Sequence, residues 1–102
     1  MDRVETLREI LARNPTDAFA RYGLALEYSN VGAVDQSLEE FGKLISAHPD
    51  YTAGYFMAAQ TLAKAQRTNE ARKMLEDGIS SAQRTNNAHA QSEMEAMLAE
   101  LA

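Results

Sequence analysis

The 102-residue sequence has no cysteine and no tryptophan, only two prolines, and a deficit of basic charge. Each shortage narrows the field. Without cysteine there are no disulfides, no thiol nucleophile and no thiolate-built zinc site. Val, Leu, Ile and Phe together number 19, against 18 alanines. A β-sandwich needs more β-branched and aromatic side chains, whereas closely crossing helices suit this mixture. The longest apolar run, Tyr55-Phe56-Met57-Ala58-Ala59, is far too short to span a bilayer. The start, Met1-Asp2-Arg3-Val4-Glu5, is charged and has no apolar signal core behind it. A soluble, cytoplasmic chain is the expectation. With 15 acidic and 10 basic side chains the net charge is −5. That charge repels phosphate backbones and anionic lipid surfaces, arguing against nucleic acid and membrane as partners. Residues 86–102 contain no Lys or Arg at all.

Signals of catalysis are also missing. There is no Gly-rich phosphate loop, nucleophile elbow or zinc-protease motif. Adjacent acids at Glu39-Glu40 and Glu76-Asp77 diverge by about 100° on a helix and cannot face one substrate. His48 precedes a proline, and His89 lies four residues before Glu93, a spacing that suits a local helix-face pair better than a two-ligand metal site. We expect no enzyme, no cofactor and no metal.

What is present is a repeat. Asn14-Pro15-Thr16-Asp17 and His48-Pro49-Asp50-Tyr51 lie 34 residues apart, each a proline joint with an aspartate one or two residues on, before a periodic apolar segment. Proline drives the preceding residue out of helix, and the aspartate is placed to cap the next one. Between the prolines, Ala18, Phe19, Tyr22, Leu24, Ala25, Leu26 and Tyr28 follow helical spacing. Asn30-Val31-Gly32 breaks it, and Val34, Leu38, Phe41, Leu44 and Ile45 resume it. The pattern returns one period later with Tyr55, Ala58, Ala59 and Leu62, a polar turn at Gln66–Asn69, then Ala71, Met74, Leu75 and Ile79. Val4, Leu7, Ile10 and Leu11 mark a single helix upstream. Met94, Met97, Leu98 and Leu101 mark another downstream, capped by Asn86 or Asn87. The count is six helices.

The register resembles the tetratricopeptide repeat. Starting a repeat at Ala18 puts Leu24, Ala25 and Tyr28 on positions 7, 8 and 11, Gly32 on the turn position 15, Phe41 on 24 and Pro49 on 32. Starting the next at Thr52 puts Tyr55 on position 4, Ala59 on 8, Ala71 on 20 and Leu75 on 24. There are departures. Arg21 replaces the aromatic at position 4, Ser37 takes position 20, Leu44 and Gly78 take position 27, Gln66 replaces the turn glycine, and Gln83 replaces the second repeat's proline. Losing that proline lets the helix run on or end loosely.

The resemblance implies an all-α fold, a right-handed α-α superhelix of antiparallel helix pairs. It divides one domain over residues 1–102 into a half-repeat helix (1–15), repeats at 18–51 and 52–85, and a C-terminal capping helix (86–102). It also implies a function, the binding of another protein or peptide in a concave groove lined by the first helix of each pair. Carried onto this chain, the groove residues include Phe19, Tyr22, Leu26, Asn30, Phe56, Met57, Gln60, Lys64 and Met94. The positions that clamp a carboxylate in some members hold Tyr22, Leu26, Met57, Asn87 and Gln91, none of them a cation. An apolar segment or amphipathic helix is the better ligand, and methionine suits an adaptable surface. The same side chains could instead pack only against each other, since aromatic stripes at helical spacing are usually core. Self-association into a homodimer through the groove or the last helix is the second reading.

Overall fold

A computed structural model describes residues 2–101. Six α-helices follow one another: α1 (Arg3–Arg13), α2 (Ala18–Asn30), α3 (Val34–Ala47), α4 (Thr52–Lys64), α5 (Thr68–Arg84) and α6 (Ala88–Glu100). Each packs on its sequence neighbour, and α4 also touches α2 and α6. The helices therefore stack as a short solenoid in which α2, α4 and α6 form one row.

The ends of these helices follow from single residues. Asp2, Asp17 and Asn87 accept hydrogen bonds from the backbone N–H groups of Glu5 (2.8 Å), Ala20 (2.9 Å) and Ala90 (3.1 Å), capping α1, α2 and α6. Asp50 does not cap α4 as its spacing predicts; its carboxylate instead accepts from Arg84 Nε at 3.0 Å, and Tyr51 holds the cap position. Three helices close through a left-handed residue: Gly32 (φ 77°), Gln66 (φ 64°) and Asn86 (φ 55°). In each the following N–H returns to a carbonyl five residues back: Ala33 to Tyr28, Arg67 to Leu62 and Asn87 to Ala82.

The core forms three connected clusters. Leu7 and Leu11 of α1 meet Leu24 and Tyr28 of α2. Ala25, Phe41, Leu44 and Ala58 join α2, α3 and α4. Tyr55, Ala59, Leu75, Ala82 and Met94 join α4, α5 and α6. Small residues mark the close crossings. Ser37 is fully buried and donates its hydroxyl hydrogen to the Ala25 carbonyl at 2.8 Å, which satisfies it where α2 and α3 cross. Hydroxyls also join Thr52 to Ser81 (2.9 Å, buried) and Ser29 to Thr61 (2.8 Å, half-buried), the latter bridging α2 and α4.

The missing second proline has a measurable effect. α5 has 17 residues where its counterpart α3 has 14. As a result α6 starts 36 residues after Thr52, whereas Thr52 starts 34 after Ala18. Two extra residues rotate a helix by about 200°, so the face of α6 that meets α4 is not the one a strict 34-residue repeat predicts.

Candidate functional site

The row of α2, α4 and α6 carries the side chains expected to line a groove. On α2, Phe19 stands 73% exposed. Tyr22 and Leu26 are half-buried and Asn30 is exposed. Tyr22 is held by two rings, Tyr51 at 5.3 Å and Phe41 at 6.4 Å between centroids. Burial, and for Tyr22 the neighbouring Tyr51, push the hydroxyls of Tyr22 and Tyr51 above the usual phenol range. Both stay neutral at ordinary pH. On α4, Phe56, Met57 and Gln60 are half-buried and Lys64 is exposed. Phe56 also rests against the Leu75–Met94 cluster, and Met57 against Phe41 and Leu44.

Met94 is a correction. It is fully buried, its sulfur filling the space above Gly78 beside Tyr55. Counted from the first residue of each helix, Met94 matches Leu24 and Ala58, both in the core. The same count puts Glu93, Ala96 and Glu100 on the groove side in place of Gln91, Met94 and Leu98. A hollow of about 450 Å³ between α4 and α6 is lined by Phe56, Gln60, Glu93, Ala96, Met97 and Glu100, in agreement with this register. Glu93 and Glu100 are groove residues that the sequence concealed. The signal was the absent proline, but the number of added residues was not legible.

Two further hollows flank the row. One of about 700 Å³ opens between the start of α4 (Asp50–Ala53) and the segment Thr85–His89. Another of about 460 Å³ lies on the opposite side, between α3 and α5, with Leu38, Leu62 and Met74 on its floor. The charges at its rim are mutually satisfied: Arg67 with Glu70 at 2.8 Å and Lys73 with Asp77 at 2.9 Å. The Arg67 hydrogen bond holds the Glu70 carboxyl below the usual carboxylate range. His89 contacts Glu93 at 3.2 Å, and among the described residues no three His, Asp or Glu side chains gather as a metal site. No described helix is long and apolar enough to cross a membrane.

Helix pairs stacked at this spacing define a class of fold, the tetratricopeptide-repeat solenoid, and the chain is similar to small tetratricopeptide-repeat proteins. No family model matches the sequence. It is 26% identical over 98 residues to a TPR repeat-containing protein of Pseudomonas aeruginosa, covering 96% of this chain and 93% of that one. The TPR2B domain of yeast Sti1, solved in a complex with pHsp70, shares the fold with a TM-score of 0.88 at 17% identity, covering 96% of this chain and 78% of that one. PcrH in complex with the chaperone-binding region of PopD also gives 0.88, at 15% identity, over 96% of this chain and 74% of that one.

Proposed function

We propose that this chain is a protein-interaction module that receives an apolar peptide or amphipathic helix on the row formed by α2, α4 and α6. The observation that carries this reading is the run of large side chains left outside the core there. Phe19 is 73% exposed, and Tyr22, Leu26, Phe56 and Met57 are only half-buried beside it. A buried Phe or Leu is worth about 1.5–3 kcal/mol, so a partner covering this row gains its affinity from surface that the fold leaves wet. The Sti1 domain and PcrH, which share the fold, are both known in complexes with another polypeptide. The clamp for acidic termini is absent from this row, since Tyr22, Leu26 and Met57 stand at its positions on α2 and α4.

The test uses Phe19, whose ring contributes little to folding. Phe19→Glu should leave the circular dichroism and melting temperature within error of wild type. It should also strip bound polypeptides from affinity captures made with the wild-type chain. Retention of every captured protein by Phe19→Glu would remove this end of the row from the site. Light scattering over a hundredfold concentration range checks the competing occupant. A mass that doubles with concentration for wild type, and not for Phe19→Glu, would make a second copy the ligand.

A further inference from the structure

From the charges of the groove, and resting on the reading above, we infer that the α4–α6 half accepts a cationic amphipathic segment, with two Lys or Arg side chains about two helical turns apart. The floor of the hollow is apolar, made by Phe56, Ala96 and Met97, and its α6 edge carries Glu93 and Glu100. These two glutamates are seven residues apart on one helix, hence about 10 Å apart along its axis. Glu93 meets only His89, which is charged only when protonated, and Glu100 makes no ion pair among the described residues. Residues 86–102 supply no Lys or Arg to neutralise them. The one cation on α4 is Lys64, exposed at the end of that helix and level with Glu100 by the same count, yet in an ion pair with neither glutamate.

The contrast with the opposite hollow shows what this edge lacks. Between α3 and α5 the rim carboxylates Glu70 and Asp77 each have a cation, Arg67 at the cap of α5 and Lys73 within it. On α6 the carboxylates border an apolar floor and, among the described residues, no Lys or Arg is paired with them, a surface complementary to an apolar stripe flanked by cations. An acidic ligand meets repulsion here, because Glu93 and Glu100 border the path it would take over Phe56.

The experiment measures fluorescence anisotropy of three labelled helical peptides. They share one Leu/Ala stripe and carry Lys, Glu or Gln at two flanking positions seven residues apart. Wild type should bind the Lys peptide at least tenfold more tightly than the Gln peptide at physiological salt, and the Glu peptide most weakly. Glu93→Gln with Glu100→Gln should erase the preference for Lys. Glu9→Gln with Glu76→Gln, an equal change of net charge at exposed sites elsewhere, should keep it within about twofold. Gln60→Lys, at the groove rim, should weaken the Lys peptide. Equal loss in both double variants would reduce the effect to overall charge and overturn the inference, as would Lys-peptide binding that ignores Glu93 and Glu100, or no Lys-peptide binding at millimolar protein. If all three peptides bind alike and all are lost in Phe19→Glu, the groove reading stands and the charge inference alone falls.

Discussion

At the residue scale, the departures from the repeat pattern are compensated in place. In the second repeat the Tyr55 hydroxyl donates to the Pro49 carbonyl at 2.7 Å. One period earlier Arg21 does the equivalent work, with Nη2 donating to the Pro15 carbonyl at 2.8 Å and Nη1 paired to the nearly buried Glu40 at 2.7 Å. An arginine thus replaces an aromatic because a carboxylate on α3 waits for it. Gly78 is the converse case. A Cβ there would lie 2.7 Å from Tyr55 Cβ and 2.5 Å from Met94 Sδ, and the former cannot swing away. Overpacking costs about 1–3 kcal/mol, while helix propensity returns up to about 1 kcal/mol. Gly78→Ala should therefore lower the unfolding free energy by about 1–2 kcal/mol, seen as a lower urea midpoint with unchanged slope. Gln66 holds a left-handed backbone, which costs an L-residue about 1–2 kcal/mol. Glycine would relieve that and lose about 0.5–1 kcal/mol to its freer unfolded chain. Gln66→Gly should stabilise by about 0.5–1 kcal/mol, raising the melting temperature by a few degrees; a lower melting temperature would show that the Gln66 side chain contributes more than its backbone costs.

At the element scale, prolines set the lengths of the helices. α1 and α3 stop at Arg13 and Ala47, each two residues before a proline. α5, with Gln83 where proline would stand, runs on to Arg84 and ends only where Asn86 turns left-handed. The positions of the helices were readable from spacing because apolar residues recur at three and four. The facing of α6 was not, because helix phase accumulates with every residue added upstream. α6 has one fully buried side chain, Met94. Its start depends on Asn87, whose side chain accepts from Ala90 N–H at 3.1 Å. Asn87→Ala should cost about 1 kcal/mol and lower amide protection in α6 roughly fivefold while α4 changes less. Uniform loss across all helices would show that α6 opens only with the whole fold.

At the scale of the molecule, each helix pair covers the apolar face of the next, and the stack ends where polar faces begin. α6 closes it with Glu95 and Ser92 outward and with Met94, Met97 and Leu98 on the Tyr55–Leu75 cluster. Arg72 on α5 adds a hydrogen bond to the Leu101 carbonyl. Ending the chain at Thr85 should expose Tyr55, Leu75 and Ile79 together. The shortened chain is expected to self-associate or to lose its cooperative melt, measured by light scattering and thermal circular dichroism. A monomer that melts as sharply as the full chain would mean that α6 is an appendage to an already closed core. At the other end, α1 is tied by the Arg3–Glu27 pair at 2.8 Å and by Arg8 against the Tyr28 ring and hydroxyl. It covers Leu24 and Gly23 of α2.

The sequence by itself determined the repeat. Proline phase, alanine at the crossings and apolar spacing are local properties, and they are enough to specify six helices, their pairing and the row that faces outward. It also placed Phe19, Tyr22, Leu26, Phe56 and Met57 on α2 and α4 outside the fully buried core, because their phase is set within helices that begin in register. Only the tertiary structure decided that Met94 belongs to the core and that Glu93 and Glu100 border the groove. That choice depends on where α5 stops and on the space that Gly78 leaves for a sulfur, and both are fixed by packing between helices distant in the chain.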